Sequence, residues 1–175
     1  MIKNIVAVLV SSVLGSSLYA GNYNKGTEGF VGLEIGAATV DAQRLGGVFH
    51  EGNAIEYGIR FGSQSEDWRA TFAFDHFDSS SDNQNVEKGF LMVDYFLFSS
   101  QKQYNIRPFL GANIGLINYE STLVDETDFV YGGQAGVIIG LGENIDLDLS
   151  YRYSLSGSTY VNTLGSIVFG LNYLY

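Results

Sequence analysis

The sequence has no cysteine, one proline, few basic residues and no long apolar run beyond its first 20 residues. Without cysteine the chain forms no disulfide framework, no cysteine-ligated zinc site and no thiol nucleophile. Nine Lys and Arg against nineteen Asp and Glu give a net charge of −10, which argues against nucleic acid as a partner because phosphates are repelled. The hydrophobic fraction of 46% is too high for a disordered chain.

Glycine and aromatic residues are abundant instead. The 175 residues include 22 Gly, 12 Tyr and 12 Phe, a composition that favours many short strands over helices. At this length the chain is one domain.

The amino-terminal segment is predicted to direct export. Lys3 is followed by an apolar run from Ile5 to Leu14, which is too short to span a bilayer, and small Ala20 ends a plausible cleavage site. We therefore assign residues 1–20 to a cleavable signal peptide and residues 21–28 to a short extension. Residues 29–175 form the folded domain.

Apolar residues then recur at every second position in eight segments, the period of a β-strand. Each segment is about nine to eleven residues long, which suits a tilted strand that crosses a bilayer. The segments are residues 28–37, 54–62, 68–75, 91–97, 107–116, 132–141, 145–153 and 165–175.

The links between these segments alternate between long and short. Long links are predicted around residues 41–51, 78–87 and 118–128, short ones around 63–66, 99–103 and 142–144, and one of medium length around 154–162. Such alternation is typical of an up-and-down sheet with all its long loops at one end. The prediction is an all-β, eight-stranded antiparallel up-and-down transmembrane β-barrel.

One face of the alternating strands is aliphatic and the other carries glycine and charges. In a soluble ligand-binding barrel the charged face would meet water, but the charged set contains Arg and no Lys, which favours a confined interior where Arg pairs with carboxylates. We predict that the four arginines each contact a carboxylate. The predicted lumen network is Glu34, Glu56, Arg60, Arg69, Asp75, Asp94, Arg107, Asp146, Asp148 and Arg152.

The aliphatic face fits lipid, with tyrosines near strand ends as an interfacial girdle. These tyrosines are Tyr95, Tyr151, Tyr153, Tyr173 and Tyr175. Pro108 tests the assignment, since proline donates no ladder hydrogen bond and a closed barrel has no free edge. We expect it at the periplasmic end of the fifth strand or at a bulge.

The segments 107–116, 129–141 and 145–153 and the terminal GLNYLY resemble the small outer-membrane β-barrel family that includes the OmpA transmembrane domain, OmpX-type proteins and opacity-type surface proteins. The resemblance implies a monomer in the Gram-negative outer membrane, in contact with lipid and lipopolysaccharide. It also implies biogenesis through periplasmic chaperones and the barrel assembly machinery. The insertion signal of that family corresponds here to Phe169, Leu171, Tyr173 and Tyr175.

The expected function is structural: a plugged, salt-bridged barrel that supports the envelope and presents loops for adhesion or recognition. A small porin-like channel for ions or solutes is the alternative. A lipid A-modifying enzyme is a third, weaker reading, because the histidines His50 and His76 lie near the long loops and residues 76–79 offer only the residue types. We expect no enzymatic activity, no catalytic residue, no cofactor and no metal. The acidic loop residues Glu120, Asp125, Glu126 and Asp128 match no calcium-loop spacing.

Overall fold

The computed structural model describes residues 26–43, 49–79, 84–98, 105–120, 125–157 and 161–175. The predicted signal peptide and most of the predicted extension lie outside these residues. Within them the protein is entirely β-structure, and no described helix is long and apolar enough to cross a membrane. The strands are β1 (Glu28–Gln43), β2 (Phe49–Gln64), β3 (Trp68–Ser79), β4 (Gln84–Phe96), β5 (Ile106–Glu120), β6 (Asp125–Gly140), β7 (Ile145–Ser156) and β8 (Val161–Leu174).

Each strand pairs with its sequence neighbours in antiparallel fashion, and β8 pairs with β1 to close the barrel. The seam continues past β8, where Gly29 and Tyr175 exchange backbone hydrogen bonds of 3.1 and 2.9 Å. The predicted fold class is confirmed. Closure leaves no strand edge with unpaired backbone groups, which a bilayer requires.

The pairing is staggered around the barrel. Following paired residues once round from Val31 leads back to β1 at Asp41. A stagger of this size tilts the strands and leaves an eight-stranded interior only wide enough for side chains.

Large apolar side chains cover the outside of the barrel. Leu33 is 66% exposed and Ile55 65%, values that would be untenable for a wall facing water. Along each strand, the residues that alternate with these exposed apolar side chains point inward and are largely buried, as the alternation predicts. The exposed apolar wall and the closed backbone identify a transmembrane barrel.

The strands are longer than predicted, at 12–16 residues. They continue through most of the segments that we assigned to long loops; Glu120 and Asp125, for example, pair with each other at the end of the β5–β6 hairpin. Only residues 44–48, 80–83, 121–124 and 157–160 separate the strands at this end, which we name the loop end.

The other end, named the turn end, is bridged by residues 65–67, 97–105 and 141–144. The links therefore do not alternate in length, and that prediction is wrong. The reason is physical: ladder hydrogen bonds form between any paired backbones, so a hairpin can extend past the point where side chains stop alternating in polarity.

Pro108 is the third residue of β5, close to the turn end, where we expected it. Its carbonyl accepts a hydrogen bond of 2.9 Å from the Leu97 amide, beyond the last residue of β4. Proline has no backbone N–H to donate, and Pro108 lies where the hydrogen-bonded pairing of β4 with β5 is ending.

Candidate functional site

The structure places all ten predicted network residues in the lumen. Nine are no more than 6% exposed. Arg107, near the turn end, is the exception, with a side chain that is 18% exposed. They come from six of the eight strands, where every second residue points inward.

Two arginines hold the half of the network nearer the turn end. Arg69 places Nε and Nη2 2.8 Å from one oxygen of Asp94 and Nη1 2.5 Å from Asp148. Arg60 adds a second contact to Asp148, at 2.9 Å. The other oxygen of Asp94 accepts a hydrogen bond of 2.5 Å from Gln134. Charged groups this deeply buried are stable only when they are paired in this way.

Arg152 organises the half nearer the loop end. Its guanidinium lies 3.0 Å from Asp75 and 3.2 Å from Glu34, so that one cation serves two carboxylates. Arg60 connects the two halves, with Nη1 3.5 Å from Glu34. Through these contacts the network runs continuously across the lumen.

Lys88 also lies in the lumen, 4% exposed, and forms an ion pair with Glu56. The prediction that no lysine belongs to this set is wrong. It failed because β4 was taken to begin at Leu91, whereas the strand begins at Gln84. Extending the alternation of Asp94 and Met92 backwards through Phe90 would have identified Lys88 as an inward residue.

A smaller cluster lies at the mouth of the turn end. Arg107 and Gln64 both contact the same oxygen of Asp146 at 3.1 Å. The guanidinium of Arg107 stacks on the Phe96 ring, 4.6 Å from its centroid. This partly exposed ion pair forms the outer layer of the lumen at that end.

Apolar side chains flank the charged network on both sides. On the turn side, Phe96, Phe109 and Ile138 form a buried cluster. On the loop side a larger cluster consists of Ala38, Ala73, Phe90, Met92, Ile117, Val130 and Leu164. We name these the turn-side seal and the loop-side seal.

The seals are joined to the network by cation–π contacts. Arg69 lies 4.5 Å from the ring of Phe109, and Arg152 lies 4.9 Å from the ring of Phe90. The two central arginines thus pair with carboxylates at their edges and with aromatic faces above or below. The arrangement fills the lumen and separates its charges from water at both ends.

Glycines on the lumen face make room for these large groups. A Cβ at position 111 would overlap the Asp94 carboxylate, and one at position 170 would overlap the Arg60 guanidinium. The abundance of glycine therefore has a steric reason at these positions, since an eight-stranded barrel has no spare width.

The described residues contain no group of three or more acidic or histidine side chains arranged to hold a metal ion. His76 lies on the outer face of β3, where its ring is 5.5 Å from that of Tyr57. The side chain of His50 lies outside the described residues. The side chains of Asp78 and Ser79, the other polar residues of the 76–79 segment, also lie outside the described residues.

The four residues of the expected insertion signal share the outer face at the β8 end of the chain. They are 46–57% exposed: Phe169, Leu171, Tyr173 and Tyr175. Trp68 and Tyr95 lie on the same outer surface at the turn end, with ring centroids 4.8 Å apart. This placement matches an aromatic girdle at one membrane interface.

The fold is similar to those of solved outer-membrane proteins. Neisserial surface protein A matches with a TM-score of 0.69 at 21% identity, over 85% of this chain and 99% of that chain. Outer membrane protein H from P. aeruginosa matches with a TM-score of 0.57 at 24% identity, over 85% and 99%. The amino-terminal barrel domain of Pseudomonas aeruginosa OprF gives 0.55 at 15% identity, over 81% and 97%.

No protein-family model and no curated protein matches the chain. At identities below one quarter, the structural likeness establishes the fold and leaves function to the site itself. The chain has the fold of the small outer-membrane β-barrel proteins, with eight antiparallel strands closed around a lumen that its own side chains fill.

Proposed function

We propose that this protein is a non-conducting outer-membrane barrel that supports the cell envelope and presents its loop end for adhesion or recognition. The observation that carries the proposal is the filled lumen. Ion-paired charges occupy its centre, and the turn-side and loop-side seals enclose them. Because the described part of the lumen is filled in this way, we infer that function belongs to the outer surfaces, and loops held on a rigid scaffold are where binding residues concentrate.

Location in the outer membrane belongs to the same proposal. The apolar wall and aromatic turn-end residues support insertion in a bilayer, and the closed β-fold is typical of that membrane. We further propose a monomer that contacts lipid and lipopolysaccharide and is inserted by the barrel assembly machinery after passage by periplasmic chaperones. Separation of inner and outer membranes by density, followed by immunoblotting, tests the location.

Single-channel recording of the refolded barrel in a planar bilayer tests the central point. The wild type is expected to give no discrete steps, with folding verified by heat-dependent gel migration. The double variant Phe96→Ala/Phe109→Ala removes two rings of the turn-side seal. It serves as the control for insertion of the barrel in the bilayer and for detection of conductance. Steady steps from the wild type would contradict the proposal.

Loop presentation is tested separately in cells. Residues 44–48, 80–83, 121–124 and 157–160 can be replaced one at a time by short Gly-Ser links without touching the strands. If the loop end carries recognition, one or more replacements reduce adhesion while envelope resistance to detergent stays at the wild-type level. If a deletion strain loses detergent resistance and no loop replacement reduces adhesion, the results support only the part of the proposal that concerns the cell envelope.

A small channel is the second candidate, and one observation favours it. Several buried polar atoms of the lumen have no hydrogen-bond partner, among them Arg60 Nε, Thr71 Oγ1 and Gln134 Oε1. Such groups are costly unless water or an ion reaches them. The same recordings decide between the candidates: conductance that changes in Arg60→Ala would establish the charged lumen as the path.

A further inference from the structure

Among the ion-paired side chains of the lumen that the structure describes, carboxyl groups outnumber basic groups by one. The six acids are Glu34, Glu56, Asp75, Asp94, Asp146 and Asp148, and the five bases are Arg60, Arg69, Lys88, Arg107 and Arg152. The Arg107–Asp146 pair at the mouth balances itself. The inner lumen, between the two seals, therefore holds five carboxyl groups and four cations.

The ion pairs show where the excess lies. Asp94 has Arg69, Asp148 has both Arg69 and Arg60, and Glu56 has Lys88. Glu34 and Asp75 share the single guanidinium of Arg152. Among the described residues, the only other cation near them is Arg60, which lies 3.5 Å from Glu34 and is already bound to Asp148. These two carboxyl groups are the under-neutralised pair.

Each of the two groups also has one oxygen without a hydrogen-bond partner among the described residues, although Glu34 Oε2 lies 3.5 Å from Arg60. Glu34 Oε1 and Asp75 Oδ2 contact Arg152, whereas Glu34 Oε2 and Asp75 Oδ1 accept no hydrogen bond. Both side chains are almost fully buried, at 2% and 0% exposure, and their contacts to one guanidinium, that of Arg152, bring the two carboxyl groups next to each other. Two ionised carboxylates have only acceptors to offer one another, so this contact is favourable only if one of them carries a hydrogen.

The backbone is shaped to permit this close approach. Gly58, on β2, faces the lumen beside β3, and a Cβ there would overlap Asp75 Oδ1. The absence of a side chain at this position leaves room for the Asp75 carboxyl beside β2, where it also contacts Arg152. The placement of the Glu34–Asp75 pair thus depends on three adjacent strands, β1, β2 and β3.

We propose that the inner lumen binds one proton, held between Glu34 and Asp75 in a carboxyl–carboxylate hydrogen bond. The proton supplies the positive charge that the side chains lack, because an unpaired charge is costly in a sealed interior. The charged groups that face the pair are Arg60 and Glu56 from β2, Lys88 from β4, and Arg152 and Asp148 from β7. This property goes beyond the proposed envelope function and does not depend on it.

Infrared spectroscopy of the refolded barrel detects such a proton directly. The wild type at neutral pH is expected to show the C=O stretch of a protonated carboxyl, displaced when the protein is refolded in D₂O. The band is expected to vanish in Asp75→Asn and in Glu34→Gln, and to persist in Asp146→Asn, which alters only the ion pair at the mouth. A wild type without this band, or a band that persists in both pair variants, would overturn the proposal.

Unfolding equilibria provide a second, independent test. An amide at position 75 can donate to Glu34 while its oxygen accepts from Arg152, so Asp75→Asn imitates the protonated acid. Its unfolding constant is expected to stay within about twofold of the wild type, whereas Asp148→Asn, which deprives two arginines, raises the constant by at least about tenfold.

Equal effects of the two substitutions would contradict the proposal, as would failure of both Asp75→Asn and Glu34→Gln to fold under conditions where Asp146→Asn folds. A wild-type stability that rises with Na⁺, but not with a bulky organic cation at equal ionic strength, would mean that a metal ion holds the position, and this too would overturn the proposal.

Discussion

Replacing Arg69 by Met removes the cation with the most contacts in the lumen while keeping a side chain of similar length. Asp94 loses the one cationic partner that it has among the described residues and keeps the hydrogen bond from Gln134, and Asp148 keeps Arg60 at 2.9 Å. Breaking one side of a buried ion pair costs about 3–5 kcal/mol because a charge is left without compensation. The unfolding constant is therefore expected to rise by roughly a hundredfold to a few thousandfold.

The sequence provides its own reporter for this measurement. Trp68 is the single tryptophan and lies on the outer face, 54% exposed, so unfolding transfers it from lipid to water. Its emission can be followed during urea titration of barrels refolded in lipid vesicles.

Arg107→Met is the matched control for Arg69→Met. It removes the same group from the partly exposed pair at the mouth, where solvent screening limits the loss to about 1 kcal/mol. If Arg69→Met destabilises the barrel no more than Arg107→Met does, the buried ion pairs of Arg69 do not stabilise the fold.

Three further outcomes are expected. Gly132→Ala should lower stability by about 1–3 kcal/mol, because a Cβ there meets the backbone of the neighbouring strand. Gly89→Ala should have little effect, because its Cβ lies 3.5 Å from Phe74, and urea titration distinguishes the two variants. Tyr175→Ser should reduce the folded fraction in cells while refolding in vitro proceeds, with the similarly exposed Tyr153→Ser as control, and heat-dependent gel migration measures both. Phe90→Ala should lower stability by about 3–5 kcal/mol as it opens the loop-side seal, and an unchanged urea midpoint would show that this ring is not part of the packed core.

The architecture was readable from the sequence because the side chains of a membrane barrel alternate under opposite demands. In β7, Leu147, Leu149 and Tyr151 face lipid, while Asp146, Asp148 and Arg152 face the lumen, so polarity changes at every residue. The number of strands and the inward charged set, apart from Lys88, followed from this pattern alone.

The strand ends and the partners of each charge were not readable in the same way. Beyond the bilayer both faces of a hairpin are polar, which concealed the first residues of β4 and with them Lys88. Which carboxylate each arginine meets depends on the stagger of the strands and on contacts across the lumen; Arg152 and Glu34 are 118 positions apart. A single sequence contains the side chains of these pairs but not the geometry that joins them.

Closure of the barrel by its two terminal strands has a consequence for synthesis. Phe30 pairs with Leu174, so the first strand acquires its second neighbour only when nearly the whole chain exists. Until then β1 has an open edge, which a bilayer does not tolerate and which promotes association with other chains. The ring therefore cannot be completed before β8 has been made. Contacts of such long sequence separation also form slowly. Until β8 reaches β1, the survival of the open barrel depends on what shields that edge.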